Sequence, residues 1–307
     1  MKREGYRKKI VKAGKTVDVQ FTYPTQFGEG LTRAHHKAGT GTPADMEAYN
    51  YELAVIKLTQ IINANFGTDD WFVTLHYERD KRPPDLETAR NQLTKYLNRL
   101  KKEYELAGAE FKWVKTTAYG SRGGIHHHVV IPKGLSMQLI QSVWKETIKA
   151  SHKARPADCR ALYDTGEYSS LAAYFCQQAD KSGVKEKHCR RFTCSRNIVR
   201  PKEEEPTWVS DIKWKEPPVA WPGYYVEKDS IRAGCNPVNG RPYLFYRMVK
   251  LPPDFVCYDD DGRRLTGKEA VKYYRRTNKD YIKQNWFTLN PDGEIIFKNE
   301  KGERKNE

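Results

Sequence analysis

Two strand-like runs, EFKWVKTTAY at 110–119 and GIHHHVVIP at 124–132, are joined by a short Gly-Ser-Arg turn, and this pair limits the folds open to the chain more than any other feature. Both runs are rich in β-branched and aromatic residues, so they read as an antiparallel hairpin set inside a sheet. Successive side chains of a strand point to opposite faces, which puts His126 and His128 on one face and His127, Val129 and Ile131 on the other. The two imidazoles then stand about 6.6 Å apart at the backbone, close enough to lean onto one cation. A lone His-x-His is more often a pair of satisfied core groups, so the rest of the constellation has to decide.

The flanking sequence supplies helices and further strands. Thr42-Pro43 opens a helix running to about Asn63, with Thr42 as cap, Pro43 in the first turn and Asp45 favouring the helix dipole. WFVTLHY (71–77) has the composition of a buried strand. From Leu86 to Leu106, Leu93, Tyr96, Leu97, Leu100 and Tyr104 fall on one helical face. Helices are expected over about 136–149 and 167–180, with a short strand at Cys159 to Tyr163 between them. TVDVQFTY, near the start, reads as a strand followed by a Gly-rich loop. Five prolines and three tryptophans in residues 200–223 suggest an extended arm, Glu203 to Glu205 read as a solvated loop, and a hairpin is expected at Asn290 to Gly293. The expected fold is α+β, a central antiparallel sheet with flanking helices. Its divisions are a basic N-terminal strand and loop (1–44), a main domain (45–200), the arm (201–223) and a small mixed C-terminal region (224–307).

In the helix EYSSLAAYFCQQAD, Leu171, Ala172, Phe175, Cys176 and Ala179 form one apolar stripe, and Tyr174 lies about 130° from its centre. Tyr174 is therefore not simply core, and a tyrosine beside amide and cationic groups can attack phosphate. Its plainer reading is a surface tyrosine on an amphipathic helix.

The formal net charge of +15 and the 12% aromatic content point to an anionic partner with faces on which bases can stack, and nucleic acid fits both. Arg190, Arg191, Ser195 and Arg196, in the basic segment HCRRFTCSR, are candidates for phosphate contacts. The six cysteines are thinly spread and include no C-x₂-C pair, which argues for reduced thiols and against a zinc site built from Cys159, Cys176, His188, Cys189 and Cys194. No apolar run approaches the roughly 18 residues of a membrane span, and the start of the sequence lacks the apolar region of a signal peptide, so a cytoplasmic location without membrane contact is expected.

The strand WFVTLHY, the long helix, IHHHVVI and LAAYFCQQADK, in that order, together with NANFGTDDWFVTLHY (63–77) and RFTCSRNIVRP (191–201), resemble the HUH endonucleases. The resemblance is strongest to rolling-circle replication initiators of plasmids, filamentous phages and integrative elements, the group that includes the phage gene II protein, and it spans most of residues 45–201. It implies a divalent ion, Mg²⁺ or Mn²⁺, on His126 and His128, and attack by Tyr174 on a phosphate of single-stranded or hairpin DNA at a replication origin, leaving a 5′-phosphotyrosine and a free 3′-hydroxyl. Two positions depart from the group's pattern. Ala118 stands where a glutamate usually completes the metal site, and Gln177 and Gln178 stand where a lysine commonly follows the tyrosine. The spacing from Tyr174 to Gln178 is that of related single-strand transposases, whose glutamine is the third metal ligand. The resemblance thus gives Gln178 that role and Lys181 the role of nearby positive charge. No G-x-x-x-x-G-K-[ST] loop is present, so strand separation is expected to need a separate helicase. The alternatives are a protein that holds single-stranded nucleic acid without cutting it, which needs neither metal nor Tyr174, and a metal hydrolase that uses water.

Overall fold

The computed structural model describes residues 6–22, 42–120, 124–163, 166–181, 191–209, 218–236, 242–284, 288–289 and 295–296. The chain is α+β and divides into two compact units, residues 51–200 and a second unit assembled from 1–50 and 201–307. Each contains a five-stranded antiparallel sheet.

The first-strand pair of the chain, β1 (Tyr6–Ala13) and β2 (Thr16–Thr22), belongs to the split unit. Helix α1 (Pro43–Asn65) follows, capped as its sequence indicates. The Thr42 hydroxyl accepts from the Asp45 N–H at 3.2 Å while the Asp45 carboxylate accepts from the Thr42 N–H at 2.7 Å, a reciprocal cap. The central unit then runs β3 (Trp71–Leu75), α2 (Leu86–Leu106), β4 (Val114–Tyr119), β5 (Ile125–Ile131), α3 (Met137–Thr147), β6 (Ala157–Ala161), α4 (Ser169–Lys181) and β7 (Thr193–Cys194). Its sheet has the order β6-β3-β5-β4-β7, so the histidine strand lies at the centre.

Helices cover both faces of that sheet, which is why β5 is buried at nearly every position instead of alternating between core and solvent. On one face Val129 and Ile131 pack with Leu93, Tyr96, Leu97 and Leu100 of α2 and with Ile140 and Trp144 of α3. On the other, Val114 and Val130 pack with Leu58, Ile61 and Ile62 of α1 and with Ala172, Phe175 and Cys176 of α4. Each of these large apolar side chains contributes about 1.5–3 kcal/mol when fully buried. The cysteines also divide between the faces. Cys159 lies in the first cluster and Cys176 in the second, with Cys194 packed against the latter, so these three do not converge on one ion; Cys159, Cys176, Cys194 and Cys257 are free thiols, and His188 and Cys189 lie outside the described residues.

The split unit continues with β8 (Thr207–Val209), β9 (Tyr224–Cys235), β10 (Pro242–Lys250), β11 (Val256–Tyr258), β12 (Arg264–Thr266), α5 (Gly267–Gln284), β13 (Thr288–Leu289) and β14 (Ile295–Ile296). Its sheet has the order β8-β1-β2-β10-β9, so segments from the two ends of the chain hydrogen-bond side by side. β13 and β14 pair as a two-stranded ribbon, and the turn expected at Asn290 to Gly293 lies outside the described residues. Arg247 of β10 stands opposite Asp18 of β2 and grips it with two hydrogen bonds of 2.6 and 2.9 Å, both side chains 3% exposed. The acidic run read as a solvated loop is paired: Glu203 meets Arg7 at 2.7 Å and Lys9 at 3.5 Å, and Glu204 meets Lys12 at 2.7 Å. Screening by solvent keeps such half-exposed pairs worth little individually.

Candidate active site

Strand register decides which side chains meet. β5 pairs antiparallel with β3, Thr74 opposite His128 and Leu75 opposite His127, and with β4, Ala118 opposite His126 and Thr116 opposite His128. β6 adds Asp158 opposite Thr74 and Arg160 opposite Phe72. Directly opposed residues share a face, so Phe72, Thr74, Thr116, Ala118, His126, His128, Asp158 and Arg160 line the side against which α4 packs. His127 points the other way. It is 0% exposed, with Nε2 2.9 Å from Tyr77 Oη and Nδ1 2.8 Å from Thr117 Oγ1. Burial holds its pKa well below the ordinary value, and with both nitrogens bonded it is a core group.

The His126 and His128 ring centres are 4.9 Å apart. An ion about 2.1 Å from a ring nitrogen lies about 3.2 Å from the ring centre, so two rings sharing one ion at about 90–110° stand about 4.5–5.2 Å apart. The spacing of the ring centres is therefore that of two imidazoles on one cation. His128 is buried, stacked on Phe72 at 5.6 Å, with Nδ1 3.2 Å from Thr74 Oγ1. Burial, reinforced by the neighbouring His126 and His76, pushes its pKa down to about 3, so the ring is neutral at pH 7. In the tautomer that donates Nδ1–H to Thr74, Nε2 keeps its lone pair, which accepts from the Tyr174 hydroxyl at 3.3 Å or would take an ion in its place.

Tyr174 meets this pair from α4. Its neighbours Ala172, Phe175 and Cys176 anchor the helix in the core, while Tyr174 is 38% exposed and its Oη lies 3.3 Å from His128 Nε2. The ring stands edge-on to Phe72 at 6.2 Å. Burial raises the phenol's pKa and the positive charge of Arg160 opposes that rise. Arg160 is itself tied to Asp158 at 2.9 Å. Tyr168, the second tyrosine of this segment, is fully buried and donates its hydroxyl to the Tyr163 carbonyl at 2.9 Å, so it cannot reach a phosphate.

The structure thus brings His126, His128 and Tyr174 together. Ala118 is fully buried opposite His126 and offers no ligand. Gln178 is half-buried one turn beyond Tyr174 on α4, and Lys181 ends that helix with its side chain outside the described residues. Arg190 also lies outside them. The Arg191 guanidinium sits over Tyr51 at 5.7 Å, Ser195 Oγ accepts from the Trp113 N–H at 3.1 Å, and Arg196 is exposed. Ser195 therefore fastens β7 to the start of β4, whatever else it touches. Among the described residues no three His, Cys, Asp or Glu side chains converge tightly enough to cage an ion. Sequence reasoning missed Thr74 and Arg160. Both were reachable only through register, because neither shares a local motif with the histidines.

Comparison with known proteins places this arrangement in a family context. Residues 70–183, from the start of β3 to just past α4, match the family model of replication-associated proteins of the ORF2 and phage gene II protein type. The matched segment is 114 of the 307 residues and contains both histidines, Tyr174, Gln178 and Lys181. It supports a replication-associated protein, and with it an interaction with DNA. No curated protein and no solved structure matches the chain. No described helix is long and apolar enough to cross a membrane.

Proposed function

We propose that the chain is a rolling-circle replication initiator that nicks single-stranded or hairpin DNA at an origin through Tyr174. The observation that carries this reading is the 3.3 Å separation of Tyr174 Oη from His128 Nε2, beside an imidazole pair spaced for one cation. Mg²⁺ or Mn²⁺ on His126 and His128 would polarise the scissile phosphate as a Lewis acid. The chain's own groups do the rest. Phe72 and His128 hold the phenol ring, Arg160 favours its ionised form, and exposure leaves the oxygen open to a phosphate and to the water that takes its proton. Attack forms the bond from Tyr174 Oη to phosphorus and breaks the bond to the 3′-oxygen, which leaves as a hydroxyl after protonation. Unwinding falls to a separate helicase.

Ala118 favours a second reading, in which the sheet holds single-stranded DNA and does not cut it. Labelled oligonucleotides incubated with the protein and Mn²⁺ separate the two, since only nicking leaves an adduct that survives denaturation. Under either reading, affinity will fall steeply with salt, with a log-log slope of about −0.7 per phosphate neutralised. Titrations between low and moderate salt check this, and a flat profile contradicts a role for the +15 net charge.

A further inference from the structure

We infer that His76 is the third imidazole of the metal site and replaces the carboxylate that Ala118 cannot supply. This rests on the metal-site reading above and deepens it. β3 ends at Leu75 opposite His127, so the next residue of the chain, His76, continues past β5 on the side that carries His126. The two rings lie with centres 6.0 Å apart and planes 29° from parallel, and His126 is in turn 4.9 Å from His128. Three imidazoles thus follow one another along one face.

The backbone of His76 is fixed by hydrogen bonds, while its ring is held only by stacking on His126. Its N–H donates to the Pro156 carbonyl at 2.7 Å, and its own carbonyl accepts from the indole N–H of the fully buried Trp144 at 2.9 Å. The side chain is exposed, and its ring nitrogens make no hydrogen bond among the described residues. A shared ion needs ring centres about 4.5–5.2 Å apart and converging nitrogens, so the His76 ring must leave its stacking on His126, turn, and close by about 1 Å, which rotation of an exposed side chain provides. A chain that anchors a histidine backbone this firmly beside two others, and holds its ring by stacking alone, has the parts of a three-nitrogen site that closes on its ion. Three imidazole nitrogens, completed by water, would hold Mn²⁺ more readily than Mg²⁺, which takes oxygen ligands.

The test is Mn²⁺ binding to the full chain without DNA, followed by the electron paramagnetic resonance of the free ion, with pulsed measurements counting coordinated imidazole nitrogens. The wild type is expected to show three such nitrogens. His76→Ala will show two and bind Mn²⁺ about tenfold or more weakly. His76→Phe keeps a ring to stack on His126 and removes both nitrogens, so it will behave as His76→Ala if ligation is the cause. The inference is overturned if His76→Ala and His76→Phe bind Mn²⁺ as the wild type does while His126→Ala and His128→Ala do not. If none of the three histidine substitutions alters binding, the underlying metal-site reading falls with it.

Discussion

A chain carrying Tyr174→Phe will still bind single-stranded DNA and will form no covalent adduct with it. The substitution removes one oxygen from a side chain that is 38% exposed and keeps the ring contacts to His128 at 4.9 Å and Phe72 at 6.2 Å. The hydrogen bond lost to His128 Nε2 is worth about 0.5–1.5 kcal/mol at most, so the fold persists. Nucleophilic attack has no comparable reserve. The adjacent Tyr168 is buried and bonded to a backbone carbonyl, and adduct yield should drop by about a thousandfold or more. Gel separation of labelled adduct after denaturation measures the loss. An adduct of wild-type yield in Tyr174→Phe, mapped by mass spectrometry to Tyr163, which is 47% exposed, would transfer the role to that residue.

The second large effect is acid destabilisation of the central unit. His127 and His128 are held neutral in the folded state, the first well below its ordinary pKa and the second down to about 3, while both titrate near 6.5 when unfolded. Above pH 6.5 neither state is protonated at these sites and the fold bears no penalty. As pH falls from 6.5 toward 3, the unfolded chain gains protons that the folded chain refuses, and stability falls by about 1.4 kcal/mol per pH unit through His128, with His127 acting in the same direction. At pH 4.5 His128 alone accounts for about 2.7 kcal/mol, a substantial part of the 5–15 kcal/mol typical of a domain, and His127 adds to it. Urea midpoints at pH 7, 5.5 and 4.5 in the presence of a chelator will show this decline, and equal midpoints would contradict it.

The central unit was legible because its signals are local. The Leu93–Tyr104 stripe gave α2 its limits, Thr42 and Asp45 gave α1 its start, and alternation along IHHHVVI separated His127 from its neighbours before any contact was known. What escaped depends on pairing between distant segments. YRKKIVKA reads as a basic start and folds as β1, because β2 and β8 supply hydrogen bonds to its backbone and Glu203 and Glu204 supply partners for its cations. Asp18 gives no hint in sequence that Arg247 will cover it. Thr74, Arg160 and His76 are ordinary residues of their strands until register sets them beside His126 and His128.

The split architecture also has a consequence for biosynthesis. Phe21 of β2 pairs with Leu244 of β10, so the ribosome must add about 220 residues before the β2 edge of the hairpin meets its neighbour, roughly 10–45 s at ordinary elongation rates. The nascent hairpin is too small to stand alone, and β2 presents Val17, Val19 and Phe21 along an unpaired edge throughout that interval. Residues 51–200 are complete well before β10 emerges and can fold while it waits. Arg7, Lys8, Lys9 and Lys12 on the adjoining strand give the waiting hairpin a dense positive charge, so two nascent copies repel each other at the edge where they would otherwise zip together.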